Sequence, residues 1–222
     1  MTATLLSRLQ STISRQALRQ SSSLLGGGGD PSRHAALLRR LANEPFRVVA
    51  PYFPSLASST PSSAELQRRL RRLELATKHF APPGIPINGV GHSIGAATLL
   101  MLGGTQGQTM GGEVLSAGHL RFRRLVLLAP AIDFFRAPGA LSSLATPLTI
   151  WAGGQDRITT LASFAMLKDA VPSHTKFEFF VDDWAGHFTF MNEPPPGILE
   201  PHPNRETFLL QLSEAICSTL SR

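Results

Sequence analysis

The sequence predicts an α/β fold in which a mostly parallel sheet carries helices on both faces. Three observations carry this. From residue 31 onward, short apolar runs alternate with amphipathic stretches. The connections between them are short. The apolar runs are continuous rather than alternating with polar residues, which is the pattern of strands buried on both faces.

The elements follow in order. Leu24-Leu25 is a weak strand signal before a glycine run, Gly26 to Gly29. Asp30-Pro31-Ser32 supplies a cap and a first-turn proline for a helix through Leu37, Leu38 and Leu41. Phe46 to Tyr52 reads as a buried strand ended by Pro54. Ser62 and Glu65 form a capping box, and the helix they open runs to about Phe80. After the break at 82–86, Ile87 to Val90 reads as a strand and Ala96 to Leu102 as a helix. A Gly-rich loop, Gly103 to Gly112, crosses to a strand at Leu125 to Leu128. Leu148 to Trp151 is the next strand, and a helix covers Thr160 to Ala170. Phe177 to Val181 is the last strand. A Pro-rich loop (Pro194 to Pro196) precedes a final helix from about Arg205. The first 23 residues lack Asp and Glu and carry Arg8, Arg15 and Arg19. They read as an N-terminal extension or presequence, which leaves residues 24–222 as one domain. A cytoplasmic protein is expected, with organellar targeting by the extension as the alternative.

Composition narrows the function classes. The chain has 222 residues, 42% of them hydrophobic, and a mean hydropathy of +0.03. No apolar run reaches the roughly 20 residues that span a bilayer. The net charge of +6 comes mostly from arginines that are scattered along the chain. Scattered charge argues against nucleic acid as a partner. The one cluster, Arg68, Arg69, Arg71 and Arg72, falls on an amphipathic helix striped by Leu66, Leu70 and Leu73, and reads as a solvated face. Cys217 is the only cysteine. It excludes an internal disulfide and reads as a buried, inert thiol. Neither a metal nor a cofactor is called for, and nothing in the sequence sets the oligomeric state.

The chemistry concentrates at strand ends. Gly91-x-Ser93-x-Gly95 lies between a strand and a helix. A turn that tight needs small residues two before and two after the serine, and it holds the hydroxyl clear of the backbone. The N–H of Ile94 then points to where an oxyanion would form. A serine hydroxyl needs a base to take its proton. His187, in Ala185-Gly186-His187-Phe188 just after a strand, is the candidate. His92 faces the wrong side of the turn and is given a packing role. His34, His79 and His119 read as surface or helix positions, and His174 and His202 as loop residues without metal-ligand spacing. The acid that orients the base is Asp156, after a strand and two glycines, with Asp133 as its rival. Asp182 and Asp183 sit too close to His187 along the chain. Gly26 and Gly27 are candidates for a second oxyanion donor, because glycines let the backbone approach closely.

Three stretches together resemble the α/β-hydrolase superfamily: Gly89-Val90-Gly91-His92-Ser93-Ile94-Gly95-Ala96, Trp151-Ala152-Gly153-Gly154-Gln155-Asp156, and Ala185-Gly186-His187-Phe188. Within it the chain is similar to the dienelactone-hydrolase-like branch, with Ser93 where dienelactone hydrolases proper use cysteine. The resemblance implies a carboxylesterase-like serine hydrolase with a Ser-Asp-His triad acting on a small ester or acyl substrate. It also implies a sheet without the family's first strands, since few residues precede the glycine run. The 129–146 connection is too short for a cap domain. The alternative is a truncated, non-catalytic relative that binds a ligand or partner.

Overall fold

Valine, isoleucine and leucine fill the strands at the centre of the sheet because those strands are buried from two sides. The computed structural model describes residues 21–26, 29–54, 56, 60–81 and 83–222. Eight strands are described: β1 Ser21–Gly26, β2 Phe46–Val49, β3 Ile87–His92, β4 Gly107–Gln108, β5 Val114–Leu115, β6 Phe122–Leu128, β7 Leu148–Gly153 and β8 Phe177–Asp182. Five α-helices join them: α1 Ala35–Ala42, α2 Ser63–Phe80, α3 Ile94–Leu102, α4 Leu161–Ala170 and α5 Arg205–Ser221. Six strands form one sheet in the order β2-β1-β3-β6-β7-β8. Every neighbouring pair in it is parallel. This is the expected α/β architecture.

β6 displays the two-sided burial most directly. Leu125 and Leu127 join a core shared with α2, α3 and α4, while Val126 and Leu128 join a second core with α1 and α5. All four side chains are fully buried. Helix α3 is apolar all round, as a helix enclosed on every side must be, and all nine of its residues are buried. Helix α2 starts at the predicted capping box. The Ser62 hydroxyl accepts from the Glu65 N–H, and the Glu65 carboxylate accepts from the Ser62 N–H.

Several expectations are corrected. The 46–52 strand stops at Val49, because Pro51 has no N–H to continue a ladder. The weak signal at Leu24-Leu25 lies in a six-residue strand paired on both sides, to β2 and β3. The Gly103–Gly112 loop contributes Gly107–Gln108 to a small antiparallel hairpin with Val114–Leu115. The arginine cluster is not uniformly solvated. Arg69 is buried and donates to the Pro54 carbonyl, while Arg72 donates to that of Tyr52. Both guanidinium groups lie over the Phe53 ring, at 5.1 and 5.7 Å from its centroid. They brace the chain after β2. Cys217 is buried, as expected.

The connection from β6 to β7 holds a 3-10 turn, Ile132–Phe135, and no cap domain. Residues 1–20 fall outside the described residues, and with them the expectations of a presequence and of absent first strands. Among the described residues, no helix is long and apolar enough to cross a membrane.

Candidate active site

β3, β7 and β8 are parallel, so the loops leaving their carboxyl ends meet on one edge of the sheet. Ser93 is the single residue between β3 and α3. Its backbone sits at φ 53 and ψ −122, a left-handed region that costs a non-glycine residue about 1–3 kcal/mol. The surroundings hold it there. Its N–H donates to the Leu128 carbonyl at 2.9 Å, and its carbonyl accepts from Ala96, Ala97 and Ala131. Gly91 has to be small, since a Cβ there would lie 2.8 Å from the backbone of Ala96.

The loops after β7 and β8 are bound together. The Gly154 N–H donates to the Asp182 carbonyl, and the Gln155 N–H donates to that of Ala185. A Cβ on Gly153 would come within 2.2 Å of the Ala185 oxygen. The pair of glycines therefore lets Asp156 approach His187. Beyond β8, the Asp182 carboxylate accepts from the N–H groups of Trp184 and Ala185, turning the chain toward His187.

The structure brings Ser93, Asp156 and His187 together. His187 Nδ1 lies 2.8 Å from Asp156 Oδ2, and His187 Nε2 lies 2.9 Å from Ser93 Oγ. A carboxylate only accepts, so the Nδ1–H donates to it, which leaves Nε2 to accept the serine proton. Asp156 and His187 are both buried. Asp156 Oδ1 accepts from the Ile158 and Thr159 N–H groups, and Oδ2 from the Thr159 hydroxyl at 2.6 Å. Burial raises the Asp156 pKa, but the bonds and charge from His187 and Thr159 outweigh it and hold the carboxyl below its ordinary value. The arrangement can move a proton from a hydroxyl to an imidazole held in place by a carboxylate.

The rival acid lies at the same edge of the sheet but is paired away from His187. Asp133 is half exposed and paired with Arg136 at 2.8 Å. His92 is buried and packs, as expected, but it also donates through Nε2 to the His187 carbonyl at 2.9 Å. His34, expected at the surface, is 2% exposed and stands edge-on to His92 with ring centroids 5.4 Å apart. Thr159 has no motif that marks it in the sequence. The signal available was its place three residues after Asp156, the spacing at which a carboxylate caps a following turn. Ile94 opens α3, so its N–H is a first-turn donor with no acceptor inside the helix. Gly26 ends β1 in register with Gly91, and Gly27 lies outside the described residues.

Ser93 and His187 line a cleft of about 650 Å³, edged by Leu56, Met110, Phe134, Ile158, Phe188 and Met191. Among the described residues, no group of three His, Cys, Asp or Glu side chains is disposed to hold a metal ion.

Residues 24–215 match the sequence model of the alpha/beta hydrolase family. The chain belongs to that family. The match does not distinguish the dienelactone-hydrolase-like branch within it. No curated protein matches the sequence. Solved structures do. An alpha-beta serine hydrolase homologue from Coxiella burnetii is 16% identical, with 90% of this chain and 85% of that chain covered at a TM-score of 0.55. A thermophilic esterase from the planctomycete Thermogutta terrifontis is 14% identical, covering 91% and 81% at a TM-score of 0.60. Its butyrate-bound form is 13% identical, covering 91% and 84% at 0.59. At these identities the likeness shows the alpha/beta hydrolase fold.

Proposed function

We propose that this alpha/beta hydrolase is a serine hydrolase that cleaves the ester or a related acyl bond of a small substrate. The observation that carries the reading is the unbroken chain from Ser93 Oγ through His187 to Asp156, with both links under 3 Å. In this reading Ser93 Oγ attacks the acyl carbon as His187 Nε2 takes its proton. The oxyanion accepts from the Ile94 N–H and from a second donor in the loop after β1, where Gly26 and Gly27 are the candidates. The tetrahedral intermediate collapses, and His187 returns the proton to the departing alcohol. Water then enters by the same route and releases the acid. Asp156 fixes the tautomer of His187 and stabilises its cation. Besides substrate and that water, each step uses side chains and backbone of this chain.

The apolar edge of the cleft suits an acyl or alcohol portion of modest size. A related fold, the Thermogutta esterase, has been seen with propionate and with butyrate, so short acyl chains are the place to begin. The test is hydrolysis of p-nitrophenyl acetate and its longer homologues, alongside fluorophosphonate labelling. Wild type should turn over and label. Ser93→Ala should do neither, with an unchanged circular dichroism spectrum. Equal turnover by the two proteins would sink the assignment. A folded wild type that neither turns over nor labels would favour a binding protein built on the same fold.

A further inference from the structure

The chain's last strand ends the sheet without the usual defences of an edge. Such edges are commonly blunted by proline, by outward lysines or by a covering element, because unpaired N–H and C=O groups invite another strand. β8 reads Phe177-Glu178-Phe179-Phe180-Val181-Asp182. Phe179, Phe180 and Val181 are 38%, 43% and 41% exposed. Its acids are largely occupied within the chain. Glu178 accepts from Thr149 and pairs with Arg222.

The backbone pattern defines which groups are free. Leu148 N donates to the Lys176 carbonyl, and Gly154 N to that of Asp182. In a parallel strand the N–H and C=O of one residue point to the same side. The even-numbered residues therefore bond β7, and Phe177, Phe179 and Val181 turn their N–H and C=O groups outward.

We infer that β8 pairs antiparallel with β8 of a second copy, joining two six-stranded sheets across a twofold axis. Outward residues must pair with outward residues, which leaves few registers. Placing Glu178 opposite its own copy, or opposite Asp182 of the second copy, sets like charges side by side. Centring on Phe179 avoids both. That register pairs Phe179 with itself and Phe177 with Val181. It also sets the exposed Lys176 opposite Asp182, twice. The local contacts of Asp182 all use Oδ1, so Oδ2 can face the lysine. The partner is a second copy of this chain, because the strand's charges complement their own reversed order.

The test is specific to the register. Cys217 is buried and is the only cysteine. In Phe179→Cys the two new thiols would sit on Cα atoms about 5.5 Å apart, within disulfide range. In Phe177→Cys they would be separated by roughly 13 Å along the strands. Under mild oxidation the first variant should run as a covalent dimer and the second should not. Wild type should sediment at twice the 23.9 kDa chain mass. Phe179→Lys should sediment as a folded monomer. Lys176→Glu should weaken association about tenfold, since two attractive contacts become repulsive. A wild type that sediments as a monomer overturns the proposal. So does equal cross-linking of the two cysteine variants. Protection of the Phe179 and Val181 amides from exchange in a monomer also overturns it, since another segment of the chain would then cover the edge.

Discussion

Three buried imidazoles stand in a row beside the cleft, and they differ in what surrounds the rings. His187 is 6% exposed and hydrogen-bonded at both ring nitrogens, to Asp156 and to Ser93. Behind it stand His92 and His34, in a row with centroid spacings of 4.9 and 5.4 Å. His92 has one bond, to the His187 carbonyl. Neither ring nitrogen of His34 makes a hydrogen bond of good geometry. Burial pushes the His92 pKa well below its ordinary value, and the neighbouring histidines push the same way. Burial likewise lowers His34 to about 4, against the pull of the Phe190 backbone. The contrast separates two consequences of enclosure. Enclosure alone makes an imidazole neutral and idle. Enclosure with a carboxylate on one nitrogen and a hydroxyl on the other makes a directed base.

Removing the carboxylate should break the contrast most severely. Asp156→Asn keeps the size and the backbone N–H bonds from Ile158 and Thr159, but its amide nitrogen cannot accept from His187 Nδ1 or the Thr159 hydroxyl, so it no longer favours the productive tautomer. The expected loss in kcat is about 10⁴-fold, while Asp133→Asn should leave ester hydrolysis unchanged. Comparable losses from both would reopen the choice of acid.

The next effect concerns His34 and acid. A histidine with a folded pKa near 4 and an unfolded value of 6.5 binds its proton more readily when unfolded. Stability from this group is therefore complete above pH 6.5 and falls as the pH drops toward 4. The expected loss by pH 4 is roughly 3 kcal/mol. His34→Phe should remove that part of the acid sensitivity in urea melts at pH 7, 5 and 4. Parallel losses in wild type and variant would mean that His34 takes no part.

The smallest effect belongs to His92, which anchors the backbone of His187. His92→Leu should lower kcat by about tenfold, the worth of a hydrogen bond that positions a reacting group, with KM unchanged. His92→Gln, whose amide can reach the same carbonyl, should recover most of it. A change in KM alone would indicate a wall of the cleft rather than a support for His187.

These features differ in how far the sequence reveals them. The turn around Ser93 is legible because its constraints are local: a strand, small residues at 91 and 95, then a helix. The capping box at Ser62 and Glu65 is legible for the same reason. Asp156 and His187 can be shortlisted from their places after strands. The choice between Asp156 and Asp133 depends on distances across the sheet, which spacing along the chain does not encode. His34 follows Arg33 in a stretch that reads as helix surface, and the fold buries it by packing it against His92. The inward turn of Arg69 and Arg72 is equally hidden, since it depends on carbonyls at Pro54 and Tyr52. The hairpin at 107–115 escapes because two-residue strands leave no periodic signal. The charge symmetry of β8 is written openly in the sequence, but its meaning requires knowing that β8 is the edge.

The left-handed backbone at Ser93 has a consequence for how this protein would respond to selection. Alanine at 93 keeps a Cβ and so keeps the strain, which makes it a fair control for the hydroxyl. Glycine would relax the turn, at a gain of the order of 1–3 kcal/mol, and would leave nothing to attack an acyl group. A screen for heat resistance that ignored turnover would thus favour loss of the hydroxyl itself. Durability and an available hydroxyl pull in opposite directions at this residue, so any effort to toughen the protein must begin somewhere else.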